Sequence, residues 1–353
     1  SGKKIEQMKE ALKSLIQQLK PGDTFNIVAY DSSVESFRPE LQRVDDATIK
    51  AALAFADGIY AGGSTNIDGA LQSSLKLLTD PTRPSYVLFL TDGMPTVGEM
   101  NEQKIAANAK HVNIVNARLF AFGVGFDVNS RLLDRLSNGG RGHSVYVKPN
   151  ENIEAHVSSL YNKIGSPVLT DLALKFDLEK ADSGTAHVNR MYPKQPTDLF
   201  QGEQLVYVGR YKTSGNAKVT LTGSRGSDRK TFDFAADFAR KSNDENLGFI
   251  EKLWATRRIG EIIDELDLNG QNKELVDELV QLSMKHGIIT PYTSFLAEEN
   301  TNLASMPGLQ LESQAIMRRR MSIVDGKSGV AQRSIKQDFK RAESRTQNSG
   351  EET

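Results

Sequence analysis

The stretch Tyr86-Val87-Leu88-Phe89-Leu90-Thr91-Asp92-Gly93 decides the fold class of this chain. Five apolar or aromatic residues in a row, closed by a hydroxyl, a carboxylate and a glycine, read as a strand buried on both faces of a parallel sheet and emerging at its C-terminal edge. Open α/β sheets bind ligands along that edge, so Asp92 stands where recognition or chemistry takes place. Upstream, Gly62-Gly63-Ser64-Thr65-Asn66 forms a second loop just before a helical pattern over residues 67–78. A carboxylate and a hydroxyl from two such loops suggest a site for a hard cation with oxygen ligands. The same residues also fit a purely structural reading, with Thr65 as a helix N-cap and Asp92 as a turn residue.

Helix and strand alternate on both sides of that stretch. Residues 5–19 carry apolar side chains at helical spacing and end at Pro21-Gly22. Thr24–Tyr30 reads as a strand with Val34–Phe37 as a short partner. Residues 46–56, Asn101–Val115, Asn129–Leu136 and Ile153–Ile164 read as helices, and Arg118–Val124 and His143–Val147 as strands. This order predicts an α/β fold with a doubly wound, mostly parallel sheet over residues 1–165.

After Gly165-Ser166-Pro167 the period changes to two. Leu169–Asp177, Gln204–Tyr211 and Lys218–Thr222 alternate without intervening helices, which predicts an antiparallel β-rich segment over 166–240. Residues 241–298 read as a helical pair, Asn246–Leu266 and Asn272–His286, closed by Gly287 and followed by a terminal strand, Ile288–Leu296, with Pro291 at an edge or bulge. Residues 299–353 are rich in Gln, Ser, Arg and Glu and lack sustained periodicity. They are expected to be mostly disordered, apart from one amphipathic segment near 310–323.

Composition narrows the function classes. At 353 residues the chain is long enough for two or three domains, at roughly 150 residues each. Lys and Arg total 44 against 45 Asp and Glu, so no global field points to nucleic acid or an anionic membrane. The absence of cysteine excludes disulfides, thiolate metal sites and a Cys nucleophile.

Common catalytic motifs fail on their spacing. After Gly123-Val124-Gly125 a dinucleotide fingerprint needs a glycine at the position of Val128; before Gly326-Lys327-Ser328 a P-loop needs one at Met321. Gly62-Gly63-Ser64-Thr65 continues into Asn66 and so lacks the last glycine of a nucleophile elbow. His111, His143, His156, His187 and His286 show no zinc-hydrolase spacing. Arg318-Arg319-Arg320 reads as a solvated basic cluster. Trp254 sits among Phe249, Ile250 and Leu253, as a core or anchoring residue does.

Two separated segments resemble one family. Lys3–Glu6, Asp23–Ile27, Gly62–Ile67 (GGSTNI), Leu90–Thr96 (LTDGMPT) and Phe122–Gly125 (FGVG) resemble a von Willebrand factor type A domain. Leu253–Ile263 with Asn272–Leu296 is similar to the C-terminal part of inter-alpha-trypsin-inhibitor heavy-chain-like proteins, in particular bacterial ones that place a vault/inter-alpha-trypsin (VIT) domain before the type A domain. The resemblance implies a Rossmann-like sheet with a metal-ion-dependent adhesion site at its C-terminal edge. There the family's threonine corresponds to Thr65 and its aspartate to Asp92, with Gly63, Ser64, Asn66 and Gly93 beside the ligand.

The family's Asp-x-Ser-x-Ser motif, which precedes the helix that here opens at Ser1-Gly2-Lys3-Lys4, has no counterpart, and neither does the strand that carries it. The expectation is therefore an N-terminally truncated chain that holds Mg²⁺ or another divalent cation weakly. Two ligand oxygens fall short of the roughly six such an ion takes. The resemblance further implies a binding module rather than an enzyme, a protein partner offering an acidic side chain, an upstream VIT domain in intramolecular contact, and an extracytoplasmic or cell-surface location. Loops Ser32–Phe37, Ala61–Asn66 and Met94–Met100 would set specificity. The alternative is an intracellular type A adaptor of an ATPase-linked chaperone or chelatase assembly, which the heavy-chain-like C-terminal segment disfavours.

Overall fold

Arg118–Val124 is buried at every position, and the first half of the molecule is built around it. The structure, a computed structural model, describes residues 2–60, 62–165, 167–178, 188–194, 196–242, 244, 247–297 and 305–343. The chain divides into two units, Ser1–Pro167 with Val324–Val330, and Val168–Ile323 with Ala331–Thr353.

The first unit runs α1 (Gly2–Gln18), β1 (Thr24–Phe25), β2 (Val28–Tyr30), β3 (Val34–Ser36), β4 (Gln42–Arg43), α2 (Asp46–Gly58), α3 (Ile67–Lys76), β5 (Tyr86–Thr91), α4 (Glu102–Val112), β6 (Arg118–Val124), α5 (Ser130–Gly139), β7 (Ser144–Val147) and α6 (Ile153–Ile164). β5, β6 and β7 form a parallel sheet with β6 in the middle, Phe89 opposite Ala121 and Phe122 opposite Val145. Leu71 and Leu75 of α3, Ile105 of α4 and Leu132 and Leu133 of α5 close over Phe89, Leu119 and Ala121 as one core. α1 lies against α6, where the Gln18 amide donates to Ser158 Oγ (2.9 Å) and the Tyr161 hydroxyl to the Gln18 carbonyl (3.1 Å).

The strand expected over Thr24–Tyr30 is broken in two. Asn26 causes the break: its Oδ1 accepts from the backbone N–H of Ile27 (2.8 Å) and of Arg38 (3.2 Å), and its amide donates to the carbonyls of Arg38 (2.7 Å) and Glu40 (3.1 Å). One side chain thereby takes over the bonds a ladder would make. β1 pairs with β4 and β2 with β3, both antiparallel, so these strands stand in two-stranded sheets separate from β5-β6-β7.

The second unit holds β8 (Pro167–Leu178), β9 (Val188–Tyr192), β10 (Leu199–Phe200), β11 (Val208–Tyr211), β12 (Gly215–Arg225), β13 (Asp228–Phe238), α7 (Gly248–Asn269), α8 (Lys273–His286), α9 (Met306–Met321) and α10 (Gly326–Arg341), whose first turn belongs to the first unit. The strand order is β10-β8-β12-β13, with β9 and β11 paired separately. Trp254 and Ile259 of α7, Leu279 of α8, Met317 of α9 and Phe339 of α10 share one core. The Trp254 indole donates to the Arg190 carbonyl at 3.0 Å. Gly287 ends α8 in the left-handed region (φ 61°), its N–H bonded to the Ser283 carbonyl. Among the described residues no helix is long and apolar enough to cross a membrane.

Two expectations are corrected here. Ile288–Leu296 is not a strand: Thr290 Oγ1 accepts from Tyr292 N–H (3.1 Å), Thr293 Oγ1 from Thr290 N–H (3.1 Å), and a 3-10 turn follows at Ser294–Ala297. Threonine hydroxyls bonding their own neighbourhood replace the ladder. Nor are residues 306–341 disordered. They form α9 and α10, and the charges that suggested a solvated tail are paired: Arg333 with Asp267 at 2.7 Å, Lys336 with Asp264 at 2.9 Å. Residues 299–304 and 344–353 of the expected tail lie outside the described residues.

Candidate metal-ion site

Three loops meet at the C-terminal edge of the first unit's strands. The first follows β5, where Thr91 is buried and its hydroxyl donates to the Gly93 carbonyl (3.2 Å), turning the chain at Asp92. Tyr30 at the end of β2 stacks on Phe89 with ring centroids 5.7 Å apart, and its hydroxyl donates to the Leu90 carbonyl at 2.8 Å. Burial pushes the Tyr30 phenol up from its ordinary range. A Thr91 hydrogen bond opposes the shift, and the neighbouring Asp92 carboxylate adds to it. Tyr30 is therefore a neutral donor at any physiological pH.

The second loop, 62–66, is tied to the first by one main-chain bond and one bond to a side chain. Thr65 N–H donates to Thr96 Oγ1 (2.8 Å), and Thr96 N–H returns to the Thr65 carbonyl (3.0 Å). The Thr65 hydroxyl lies so close to Gly93 that a Cβ there would come within 3.2 Å of its oxygen. The two loops named from sequence do converge, with Thr65 and Asp92 both half-buried.

The helix cap belongs to the next residue. Asn66 Oδ1 accepts from Gly69 N–H at 2.9 Å and so caps α3. Thr65 is therefore not the N-cap that the structural reading made it, and its hydroxyl has no capping duty. Gly98 (φ 75°) packs against Asn66, where a Cβ would stand 2.7 Å from Oδ1. Gly63 and Ser64 lie on the same loop, exposed and half-exposed.

The third loop was named from sequence only as Ser32–Phe37, for specificity, and Asp31 just before it was not. The Asp31 carbonyl at the β2–β3 turn accepts from Asn66 N–H at 2.8 Å. Its carboxylate accepts from Ser33 N–H (2.7 Å) and Ser33 Oγ (3.0 Å), bonds that hold it below the usual carboxylate range, and it sits against Gly62 where no Cβ would fit. The visible signal is Asp31-Ser32-Ser33, a carboxylate and two hydroxyls directly after a strand that ends at this edge.

The donors suit a hard cation in kind. Thr65 and Asp92 offer a hydroxyl and a carboxylate, and a small divalent ion that keeps several of its waters is held by one or two carboxylates. In number they are few: among the described residues no three His, Asp or Glu gather as a metal cluster. The chemistry fits a water-rich, weakly held Mg²⁺ rather than an all-protein cage.

A family model described as von Willebrand factor type A domain matches residues 1–146. Among solved structures, the von Willebrand factor type A protein from Catenulispora acidiphila superposes with a TM-score of 0.56 at 17% identity, covering 89% of this chain and 84% of that one. Residues 1–146 are thus similar to a type A domain, and the first unit has that fold. Over a longer span the chain is 27% identical to inter-alpha-trypsin inhibitor heavy chain H2 of Sus scrofa across 321 residues, 84% of this chain and 33% of the relative. It is 26% identical to heavy chain H4 of Homo sapiens across 332 residues, 87% of this chain and 35% of the relative. The chain is a distant homologue of these heavy chains and spans about a third of their length.

Proposed function

We propose that the type A domain is a divalent-cation-dependent protein-binding module of the adhesion type, not an enzyme, and that it recognises an acidic side chain on a partner protein. The observation that carries this reading is the seating of the Thr65 hydroxyl against Gly93, beside Asp92, at the ligand-binding edge of a parallel sheet. Asp92 contributes charge, Thr65 a neutral oxygen, and the paired loops 62–66 and 92–98 hold both in register. The cation, when bound, supplies the positive charge that an incoming carboxylate meets. Residues 32–37 and 94–100 line the approach and select among partners. Similarity to heavy chains supports an extracytoplasmic setting, and the β-layer and helical pair after residue 166 serve as a rigid mount.

Titration calorimetry with Mg²⁺ tests the site. The chain should bind weakly, with a Kd on the order of 1 mM, the regime of low-affinity extracellular modules. Asp92→Ala should abolish the binding heat with little loss of fold, because Asp92 is a half-exposed turn residue. Unchanged Mg²⁺ affinity in Asp92→Ala would remove the assignment.

A further inference from the structure

β13 is the open edge of its sheet. It pairs with β12 through eleven consecutive residues, Asp228 to Phe238, without a register shift, and among the described residues no strand pairs with its other side. Natural edges of this length are usually blunted by charged side chains, a proline, a bulge or a covering element; β13 has the charges, and they are of both signs. β13 contains no proline, its ladder has no bulge, and most of its residues are exposed.

The strand also exposes an apolar face. Directly opposed residues of an antiparallel ladder share a face. The rows Leu174–Leu221–Phe232 and Phe176–Val219–Phe234 therefore form one apolar surface across three strands. Phe232 and Phe234 end those rows at the open edge, 43% and 54% exposed.

We propose that this edge joins two copies of the chain: β13 pairs antiparallel with β13 of a second molecule, centred on Asp233, to make one continuous sheet. The strand is self-complementary in that register. Phe232 falls opposite the partner's Phe234, and Arg229 opposite the partner's Asp237, each twice by symmetry. A shift of two residues in either direction loses the Arg229–Asp237 match, leaves one Phe–Phe pair on the axis in place of two, and sets Lys230 against the partner's Phe234 or the partner's Phe238. Asp233 meets its own symmetry mate, but each carboxylate is already held by Lys218 at 3.0 Å and by the Thr220 hydroxyl at 2.8 Å. The two-fold axis closes the assembly at a dimer, because among the described residues each copy has one such edge. This association does not depend on the cation site.

Sedimentation velocity on the full chain, from micromolar to sub-millimolar concentration, reads the proposal. A monomer–dimer equilibrium is expected. Arg229→Asp and Asp237→Arg each turn two attractive cross-strand pairs into repulsive ones and should weaken the dimer about tenfold. The double variant Arg229→Asp/Asp237→Arg should return to within about twofold of the parent, since the same pairs re-form with their signs exchanged. Both positions are exposed, and if one reversal fails to fold the other carries the test from the opposite end of the strand. A chain that stays monomeric throughout, a dimer indifferent to single reversals, or a double variant that is not rescued overturns the proposal.

Discussion

The edge of the parallel sheet and the α7–α10 interface handle charged oxygens in opposite ways. At the edge, Thr65 and Asp92 are half-exposed, and the Thr65 loop is held through its backbone: Thr65 N–H to the Thr96 hydroxyl, Thr96 N–H to the Thr65 carbonyl, and Asn66 N–H to the Asp31 carbonyl. Between α7 and α10, Asp264 and Asp267 are buried and held by cations. Asp267 takes Arg333 at 2.7 Å and Lys336 at 3.0 Å; Asp264 takes Lys336 at 2.9 Å and Lys340 at 2.8 Å. Carboxylates left near water remain free to take a ligand. Carboxylates removed from water are committed to their partners, because an unpaired buried charge is too costly. The contrast separates a binding site from a structural clamp, although both are built from aspartates.

The largest expected effect lies in the clamp. Asp267→Ala leaves Arg333 and Lys336, 2% and 1% exposed at the side chain, without their shared carboxylate. Breaking such a pair from one side costs about 3–5 kcal/mol. Trp254 is the only tryptophan and sits in the same core, so its fluorescence during denaturant unfolding reports this unit alone. If the midpoint stays near that of the parent, the interface is not the clamp described.

The second effect is a dependence on acid. Burial alone would raise the Asp264 carboxyl, but the Lys336 and Lys340 ammoniums overcome it and hold the group at about 2, below its ordinary 3.8. A carboxyl depressed on folding contributes stability above its unfolded pKa and loses it as pH falls through the folded value. Between pH 4 and 2 the second unit should therefore lose about 2 kcal/mol from this group, on the linkage of 1.36 kcal/mol per pKa unit. Asp264→Asn should start less stable at pH 7 and respond less to acid. Equal acid sensitivity in the two proteins would contradict the assignment of the shift to Asp264.

The same contrast explains what was legible in the sequence. Parallel strands announce themselves as apolar runs, so Tyr86–Leu90 and Arg118–Val124 could be read directly, and the turn after the first pointed to Asp92. Burial on both faces holds only for the second, because β5 is an edge strand in which Phe89 is buried and its other apolar residues are half-buried. Thr65 followed from its place before a helix, although the cap is Asn66. The clamp could not be read locally: Arg333, Lys336 and Lys340 look solvated until Asp264 and Asp267, some seventy residues earlier, are known to face them. Pairing across that separation carries no periodic signal, and this is why a two-helix segment read as a disordered tail. Ile288–Leu296 failed for a smaller reason, since alternating side chains cannot show that Thr290 and Thr293 will bond to each other's backbone. Asp31 was passed over because its tie to Asn66 runs through a carbonyl, and main-chain bonds leave no mark on residue identity.

The smallest effect tests whether main chain holds the edge. Asn66 caps α3 through Oδ1, donates its N–H to Asp31, and follows Thr65 directly. Asn66→Ala removes the cap and leaves Gly69 N–H without that acceptor, at a cost of about 1 kcal/mol. Asn66→Ser keeps a hydroxyl acceptor at the cap and should recover most of that loss. The backbone bond to Asp31 survives in both variants, so a fall in Mg²⁺ affinity in Asn66→Ala comes either from loosening of the Thr65 hydroxyl or from loss of the Asn66 amide oxygen as a ligand. Calorimetry and thermal unfolding together then distinguish positioning from coordination. If Asn66 only positions Thr65, stability and Mg²⁺ affinity fall together in Asn66→Ala and return together in Asn66→Ser. An affinity lost in both variants while Asn66→Ser keeps its stability would instead make the Asn66 amide oxygen itself a ligand, and the edge would then hold three side-chain oxygens rather than two.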